Sequence, residues 1–352
     1  MKRHIIQQSA SLIEALDRLN NLSGEMMTLL VTAPDGRMTG TLTDGDIRRA
    51  LLRGLPLSAP ASEAMRRDFR FISEGSDAVA TIRELRGLRI RLIPVLDSNG
   101  RITRTIDTSV TSTVLPLRAI LMAGGKGERL RPLTLDTPKP LLPVGDRAII
   151  DHNVAALAEV GIDHISVTVN YLAEKIEEHF AGPVYGVNVR CVREPAPLGT
   201  LGSAAYCDIP ADGNTLVMNS DLLTTVSFED MYLHHVAEKA DITIAAIPYN
   251  VSVPYAILST EGSRVKALEE KPSYSFYANA GIYIISNRLL RTITPGERTD
   301  ATDMIESTIA SGGKVTFFPI SGTWIDIGSP SDYAHACQLM RHAMNPRRPQ
   351  AF

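Results

Sequence analysis

The chain has 352 residues, 44% of them apolar and 21% charged, which excludes a disordered, collagen-like or low-complexity polypeptide and supplies apolar surface for a large core. That length fits two domains. The net charge of −3 divides unevenly, residues 1–112 carrying 16 basic against 13 acidic side chains and residues 113–352 carrying 20 against 26, so neither part has the clustered basic excess of a nucleic-acid-binding face.

No apolar run reaches the roughly 18 residues that a membrane span needs, and Met1-Lys2-Arg3 leads into polar Gln7-Gln8-Ser9, so a cytoplasmic protein without membrane contact is expected. Cys191, Cys207 and Cys337 are too few and too far apart for a disulfide framework or a zinc site, and are expected to be core thiols.

The first helix is marked by Leu12, Ile13, Leu16 and Leu19 at helical spacing, with Gly24 beyond its end. A strand over 27–32, the turn Pro34-Asp35-Gly36 and a second strand over 38–42 follow, and Thr43-Asp44-Gly45-Asp46 opens a helix over 47–52. The order recurs as a helix over 78–85, a strand over 92–96, the turn Asp97-Ser98-Asn99-Gly100 and a strand through Ile102, an internal repeat of about 60 residues. Fifteen of the 16 basic residues before position 113 are arginines, the side chain whose fork suits phosphate or carboxylate, so a small anionic ligand is expected there.

With Gly40-Thr41-Leu42-Thr43-Asp44-Gly45-Asp46-Ile47 and Ile93-Pro94-Val95-Leu96-Asp97, this segment resembles a tandem pair of CBS domains. The resemblance implies that Thr43 and Asp46 contact the ribose and phosphate of an adenine nucleotide. The second copy has Thr103-Arg104-Thr105-Ile106-Asp107 where that pattern belongs, so a single nucleotide site is expected. Read from the residues alone, Thr43 and Asp46 serve equally well as the N-terminal cap of a helix.

Residues 108–117 are rich in Ser and Thr and contain Pro116, as a linker would be. The expected division is a regulatory or oligomerising pair over 1–112, a linker over 113–117 and a second domain over 118–345. From residue 118 strands and helices alternate, with strands over 119–122, 165–169, 187–192 and 216–218 and helices over 149–160 and 171–180, predicting a mostly parallel sheet covered by helices. Strands over 242–247, 256–258, 265–268 and 280–285 have fewer helices between them and predict a mixed extension of that sheet.

The chemistry concentrates at Leu121-Met122-Ala123-Gly124-Gly125-Lys126-Gly127-Glu128-Arg129-Leu130-Arg131-Pro132, followed by Pro138-Lys139-Pro140. A strand empties into a glycine loop whose backbone N–H groups approach phosphate closely, while Arg129 and Lys139 add fixed positive charge. A nucleoside triphosphate fits that chemistry. A dinucleotide-binding loop does not, because Leu130 stands where the third glycine belongs, and Lys126-Gly127 breaks the Walker A pattern.

The string resembles the signature of the sugar-phosphate nucleotidyltransferases over about 118–340, which implies an α/β, Rossmann-like and GT-A-like domain making an NDP-sugar and pyrophosphate. The resemblance implies that Arg129 and Lys139 hold the triphosphate, that Gly124, Gly125 and Gly127 line the nucleotide, and that Asp221 and Asp326, in Asn219-Ser220-Asp221 and Trp324-Ile325-Asp326, bind Mg²⁺. Two carboxylates completed by substrate phosphates suit that ion. Glu270, Lys271 and Asn279 match sugar-phosphate positions, and Glu194, Gly199 and Thr200 match the base-reading loop. A carboxylate at Glu194 accepts from guanine N1–H and its amino group, which favours GTP.

The order of domains resembles the glucosamine-1-phosphate guanylyltransferases of nonulosonic (legionaminic) acid biosynthesis. Mannose 1-phosphate with GTP, and glucose 1-phosphate with UTP or dTTP, are alternatives, because Tyr255-Ala256-Ile257 departs from the family's Tyr-Gly-Val beside the sugar. The rival from another class is a regulatory subunit that binds nucleotide sugar without turnover. A homo-oligomer is expected. His234-His235 has no metal-ligand spacing and reads as helix surface or core.

Overall fold

The computed structural model of the chain describes residues 2–22, 26–76 and 78–344; Gly24 and position 345, named above as ends, lie outside them. Two compact units divide the chain, Met1–Leu115 and Pro116–Phe352.

In the first unit β1 (Ile5–Gln7), α1 (Leu12–Asn20), β2 (Thr28–Thr32), β3 (Met38–Thr43) and α2 (Asp44–Leu52) are followed by β4 (Ile72–Ser73), α3 (Val79–Gly87), β5 (Leu92–Leu96) and β6 (Ile102–Asp107). β1 lies parallel to β2 and β2 antiparallel to β3; β4, β5 and β6 repeat that order and sense. The repeat is thus a strand, a helix and a hairpin, used twice. Ser11 and Glu14 close a capping box on α1, which buries Leu12, Ala15 and Leu19, the stripe that a period of 3.6 dictates. Leu30 and Met38 of the first copy pack with Leu92 and Leu96 of the second, and the Met38 N–H donates to the Gly100 carbonyl at 2.9 Å.

The second unit begins with β7 (Leu117–Met122), β8 (Pro143–Val144), β9 (Arg147–Ala148), α4 (Ile149–Glu159), β10 (Ile165–Val169), α5 (Ala173–His179), β11 (Val189–Arg193), β12 (Asn214–Asn219), β13 (Leu222–Thr224) and α6 (Phe228–Glu238). It continues with β14 (Ile242–Ser252), β15 (Ile257–Glu261), β16 (Arg264–Glu269), β17 (Ser273–Ser286), α7 (Asn287–Leu290), α8 (Ala301–Ala310), β18 (Val315–Pro319), β19 (Trp324–Asp326) and α9 (Pro330–Met344). Among the described residues a seven-stranded sheet forms in the order β11-β10-β7-β12-β17-β14-β18. β7 is parallel to both β10 and β12, whereas β17 runs antiparallel between β12 and β14, so the sheet is mixed. β7 and β12 read as nearly unbroken apolar runs because both faces of a central parallel strand are covered; Leu121, Leu216, Val217 and Met218 are fully buried.

β14 and β17 are longer than their apolar cores. Past Ile247 the two continue as an exposed ribbon to the pair Ser252 and Ser273, with Tyr249 opposite Phe276, an aromatic cross-strand pair that favours strand without burial. Cys191, Cys207 and Cys337 are free and half-buried rather than fully enclosed, Cys207 and Cys337 packing against the margins of two core clusters. His235 is buried on α6 with Nδ1 2.8 Å from Thr243 Oγ1, a core position. No described helix is long and apolar enough to cross a membrane.

Candidate functional site

A cavity of about 620 Å³ opens where β7 and β12 end side by side, and Gly124, Gly125, Gly127, Arg129, Lys139 and Asp221 line it. Ligands of open α/β sheets bind at the carboxyl ends of strands, where side chains from consecutive loops converge. Gly127 has φ of +60° and turns the chain into the short 3₁₀ turn Glu128–Leu130 that carries Arg129. Lys139 opens a second turn, Lys139–Leu141, where it is only 9% exposed.

The Lys139 ammonium donates to Asp221 Oδ2 and stands 3.8 Å from Asp326 Oδ1. Asp221 follows β12, held there by Ser220, whose N–H and hydroxyl both donate to the Met122 carbonyl, at 3.2 and 2.7 Å. Asp326 ends β19, and the pairing of Leu222 with Asp326 brings the two carboxylates together. Burial and the neighbouring Asp221 push the Asp326 carboxyl above its ordinary value, opposed by Lys139 and Arg129. Asp221 Oδ1 is buried without a hydrogen-bond partner. Two carboxylates, one with an orphaned oxygen, fit a divalent cation that takes its remaining ligands from phosphates. Among the described residues no cluster of three or more potential metal ligands exists, so the phosphates would have to complete such a site.

Glu194, Leu198, Gly199, Thr200 and Arg298 also line the cavity. Burial raises the Glu194 carboxyl above the usual range. A β-carbon at Gly124 would stand 2.9 Å from Glu194 Oε1, so glycine there leaves the carboxylate its place. Gly199 has φ of +79°, and a β-carbon on it would come within 2.6 Å of Asp300 Oδ1 and 2.7 Å of the Thr299 carbonyl. Asp300 accepts from the Thr200 N–H at 2.9 Å, and Thr200 Oγ1 accepts from the Ala301 N–H at 2.7 Å, fastening the loop to the start of α8.

The cavity therefore collects all six proposed nucleotide-binding positions together with Arg129, Lys139 and Asp221, and Asp326 joins through Lys139. Glu270, Lys271 and Asn279 are not among its lining residues. Glu270 and Lys271 are exposed just before Ser273, at the far end of the ribbon, and Asn279 Oδ1 accepts from the Gly281 N–H at 2.9 Å. Arg298 and Asp300 escaped sequence reasoning: they follow a loop with no motif, and only the fold brings them to residues 100 positions earlier.

In the first unit Thr43 and Asp46 close a capping box on α2. Asp46, 5% exposed, also receives Arg49 at 2.6 Å and Arg66 at 3.4 Å. Hydrogen bonds from Thr43 and the Arg49 charge outweigh burial and lower its carboxyl below the ordinary value. Thr43, Asp46, Arg49, Arg66, Arg70 and Arg91 line a cavity of about 600 Å³.

The family model described as nucleotidyl transferase matches residues 118–342. The mannose-1-phosphate guanylyltransferase catalytic subunit beta of Danio rerio is 30% identical over 243 residues, 66% of this chain and 67% of that protein. The mannose-1-phosphate guanyltransferase of Schizosaccharomyces pombe is 32% identical over 244 residues, with the same 66% and 67% covered. A Bacillus anthracis protein described as a glucose-1-phosphate thymidylyltransferase superposes with a TM-score of 0.51 at 24% identity, covering 64% of this chain and 95% of that one, a likeness of fold. A match that takes in the glycine loop, both aspartates and nearly all of the second unit leaves one conclusion: the chain belongs to the nucleotidyl transferase family, a family of enzymes.

Proposed function

We propose that the second unit transfers a guanylyl group from GTP to a sugar 1-phosphate, giving a GDP-sugar and pyrophosphate. The carrying observation is the cluster of Lys139, Asp221 and Asp326, whose Lys139 and Asp221 line one cavity with the glycine loop and the Glu194 carboxylate. The sugar phosphate oxygen forms a bond to the α-phosphorus as the bond from that phosphorus to the bridging oxygen breaks, and the electron pair leaves on pyrophosphate. Arg129 and Lys139 offset the charge gathering on that leaving group, and no protein nucleophile is needed. Asp221 and Asp326 would hold Mg²⁺, which when bound neutralises and orients phosphate oxygens. Glu194 accepts from N1–H and the amino group of guanine, and Gly199 and Thr200 bring backbone to the base. Glu270, Lys271 and Asn279 serve the sugar phosphate.

Two acceptors have support. The relatives from Danio rerio and Schizosaccharomyces pombe are named for mannose 1-phosphate. Glucosamine 1-phosphate rests on the repeat-built unit that precedes the family-matched segment. The test is pyrophosphate release with Mg²⁺, crossing four nucleoside triphosphates with a panel of sugar 1-phosphates and using Asp221→Asn as the blank. Release with GTP and one of the two sugars is expected; binding of nucleotide sugar with no release from any pair would replace transfer by a regulatory role.

For the first unit the reading is a regulatory CBS pair that takes one adenine nucleotide, supported by the twofold repeat and by arginines around Thr43 and Asp46. Self-association is the expected quaternary state, supported by the exposed apolar side chains of the ribbon and its hairpin, Tyr249, Tyr255, Leu268 and Phe276. Light scattering on the purified chain checks it.

A further inference from the structure

Guanine offers two kinds of edge. N1–H and the 2-amino group donate, whereas O6 and N7 only accept. Glu194 answers the first pair, and a pocket that stopped there would leave two strong acceptors unread. Arg298 lines the same cavity as Glu194. Its neighbour Thr299 donates to the Leu198 carbonyl at 2.9 Å, while the Leu198 backbone faces the Glu194 carboxylate, so Arg298 and Glu194 flank one residue of the base loop. Asp300 steadies the guanidinium: its Oδ2 accepts from Arg298 Nη2 at 3.0 Å, and its Oδ1 holds the Thr200 N–H. That contact uses part of a fork of five donors, and the side chain is otherwise 73% exposed toward the cavity and solvent.

We propose that Arg298 is a specificity-determining residue that donates to N7 and O6 of the bound guanine, opposite the edge taken by Glu194. The inference rests on the GTP reading above and assigns the second half of base recognition to a residue outside the family signature. Arginine paired to guanine O6 and N7 is a recurrent geometry because the fork matches the two acceptors. Adenine presents an amino group where guanine has O6, so the same fork rejects ATP. Asp300 acts as a positioning residue, tying the guanidinium and the Thr200 backbone to one carboxylate.

Binding measured by calorimetry with GTP, 7-deaza-GTP and ITP, each without sugar phosphate, tests this independently of turnover. 7-Deaza-GTP lacks the N7 acceptor, and ITP lacks the 2-amino group. The wild-type chain should bind 7-deaza-GTP about tenfold more weakly than GTP, the scale of one lost hydrogen bond to a charged donor. Arg298→Ala, which gives up the O6 contact as well, should bring GTP below that level and abolish the difference, while keeping the penalty for ITP. Arg298→Lys, with a single point of charge, should recover less than half of the loss on a logarithmic scale. A uniform fall across all three nucleotides in Arg298→Ala would mean that the arginine serves the phosphates, and persistence of the 7-deaza penalty would mean that it does not read the base; either overturns the proposal. Pyrophosphate release assayed in parallel separates the two readings: intact N7 discrimination without turnover sinks the transferase reading alone, and turnover with GTP but no Arg298 dependence of discrimination sinks this one alone.

Discussion

Lys139 donates to Asp221 across 82 residues of sequence, with Asp221 Oδ1 left buried and unpartnered. The ammonium sits between the Asp221 and Asp326 carboxylates, so its removal has two effects if the proposed transfer holds. Lys139→Met should lower kcat by about 10²- to 10³-fold, the size of a lost charge-stabilising donor. It should also cost about 3 kcal/mol of stability, because a largely buried carboxylate loses its counter-charge. Pairing it with Asp221→Asn should recover most of the stability and none of the activity, as read by denaturant titration beside pyrophosphate release.

Gly199 and Gly124 make opposite demands on a methyl group. At Gly199 the backbone is left-handed and a β-carbon would meet the Thr299 carbonyl at 2.7 Å, so Gly199→Ala should lower the melting temperature by several degrees and weaken GTP binding together. At Gly124 the nearest atoms belong to the end of the Glu194 side chain rather than to backbone, a carboxylate that Ser203 and the Leu198 backbone also hydrogen-bond. Gly124→Ala should therefore fold normally and raise the KM for GTP about tenfold, and the same change made in Glu194→Ala should cost far less.

The buried His235 gives stability a pH dependence. Burial lowers its pKa to about 4 from 6.5, with Asp241 opposing and His234 assisting. Between those values the unfolded chain takes up a proton that the folded chain refuses, so stability is full above about pH 6.5 and falls as pH drops toward 4. The loss approaches about 3 kcal/mol. His235→Gln should flatten that part of a plot of urea midpoint against pH.

In the first unit, Asp46→Ala is a poor probe of ligand binding on its own. The carboxylate caps α2 and receives Arg49 and Arg66, so its loss should cost about 1 to 2 kcal/mol whether or not a nucleotide binds. Arg70 lines the same cavity from an exposed position. Arg70→Ala should weaken AMP binding several-fold with the melting temperature unchanged, and adenylate titrated against pyrophosphate release should shift rate or KM in the wild type and less in the variant.

The sequence was most legible where local chemistry is self-sufficient. The glycine loop after β7, the Leu12 and Leu19 positions of the first helix stripe, and the doubled hairpin of the first unit all carry their signal within a few residues, whereas Ile13 of that stripe faces solvent and Ala15 takes its place inside. The lengths of β14 and β17 were not legible, because strand apolarity reports burial and the ribbon beyond Ile247 is exposed on both faces. Thr43 and Asp46 carry two readings, and the capping box answers to the local one, while the nucleotide contact is a proposal that the arginines lining their cavity support. Arg298 carried none, since an arginine after Glu297 looks like any surface charge until Asp300 is seen to hold Thr200.

The chain has a single tryptophan, and it stands two residues before Asp326 in β19. Its indole N–H donates to the Ala280 carbonyl at 2.9 Å, and Trp324 itself pairs with Thr224. Intrinsic fluorescence of this protein is therefore a local gauge: selective excitation at the red edge reports whether the last short strand has docked beside the carboxylates. In a refolding experiment the emission change and the return of pyrophosphate release should share one rate, while circular dichroism, fed by the earlier helices, runs ahead of both.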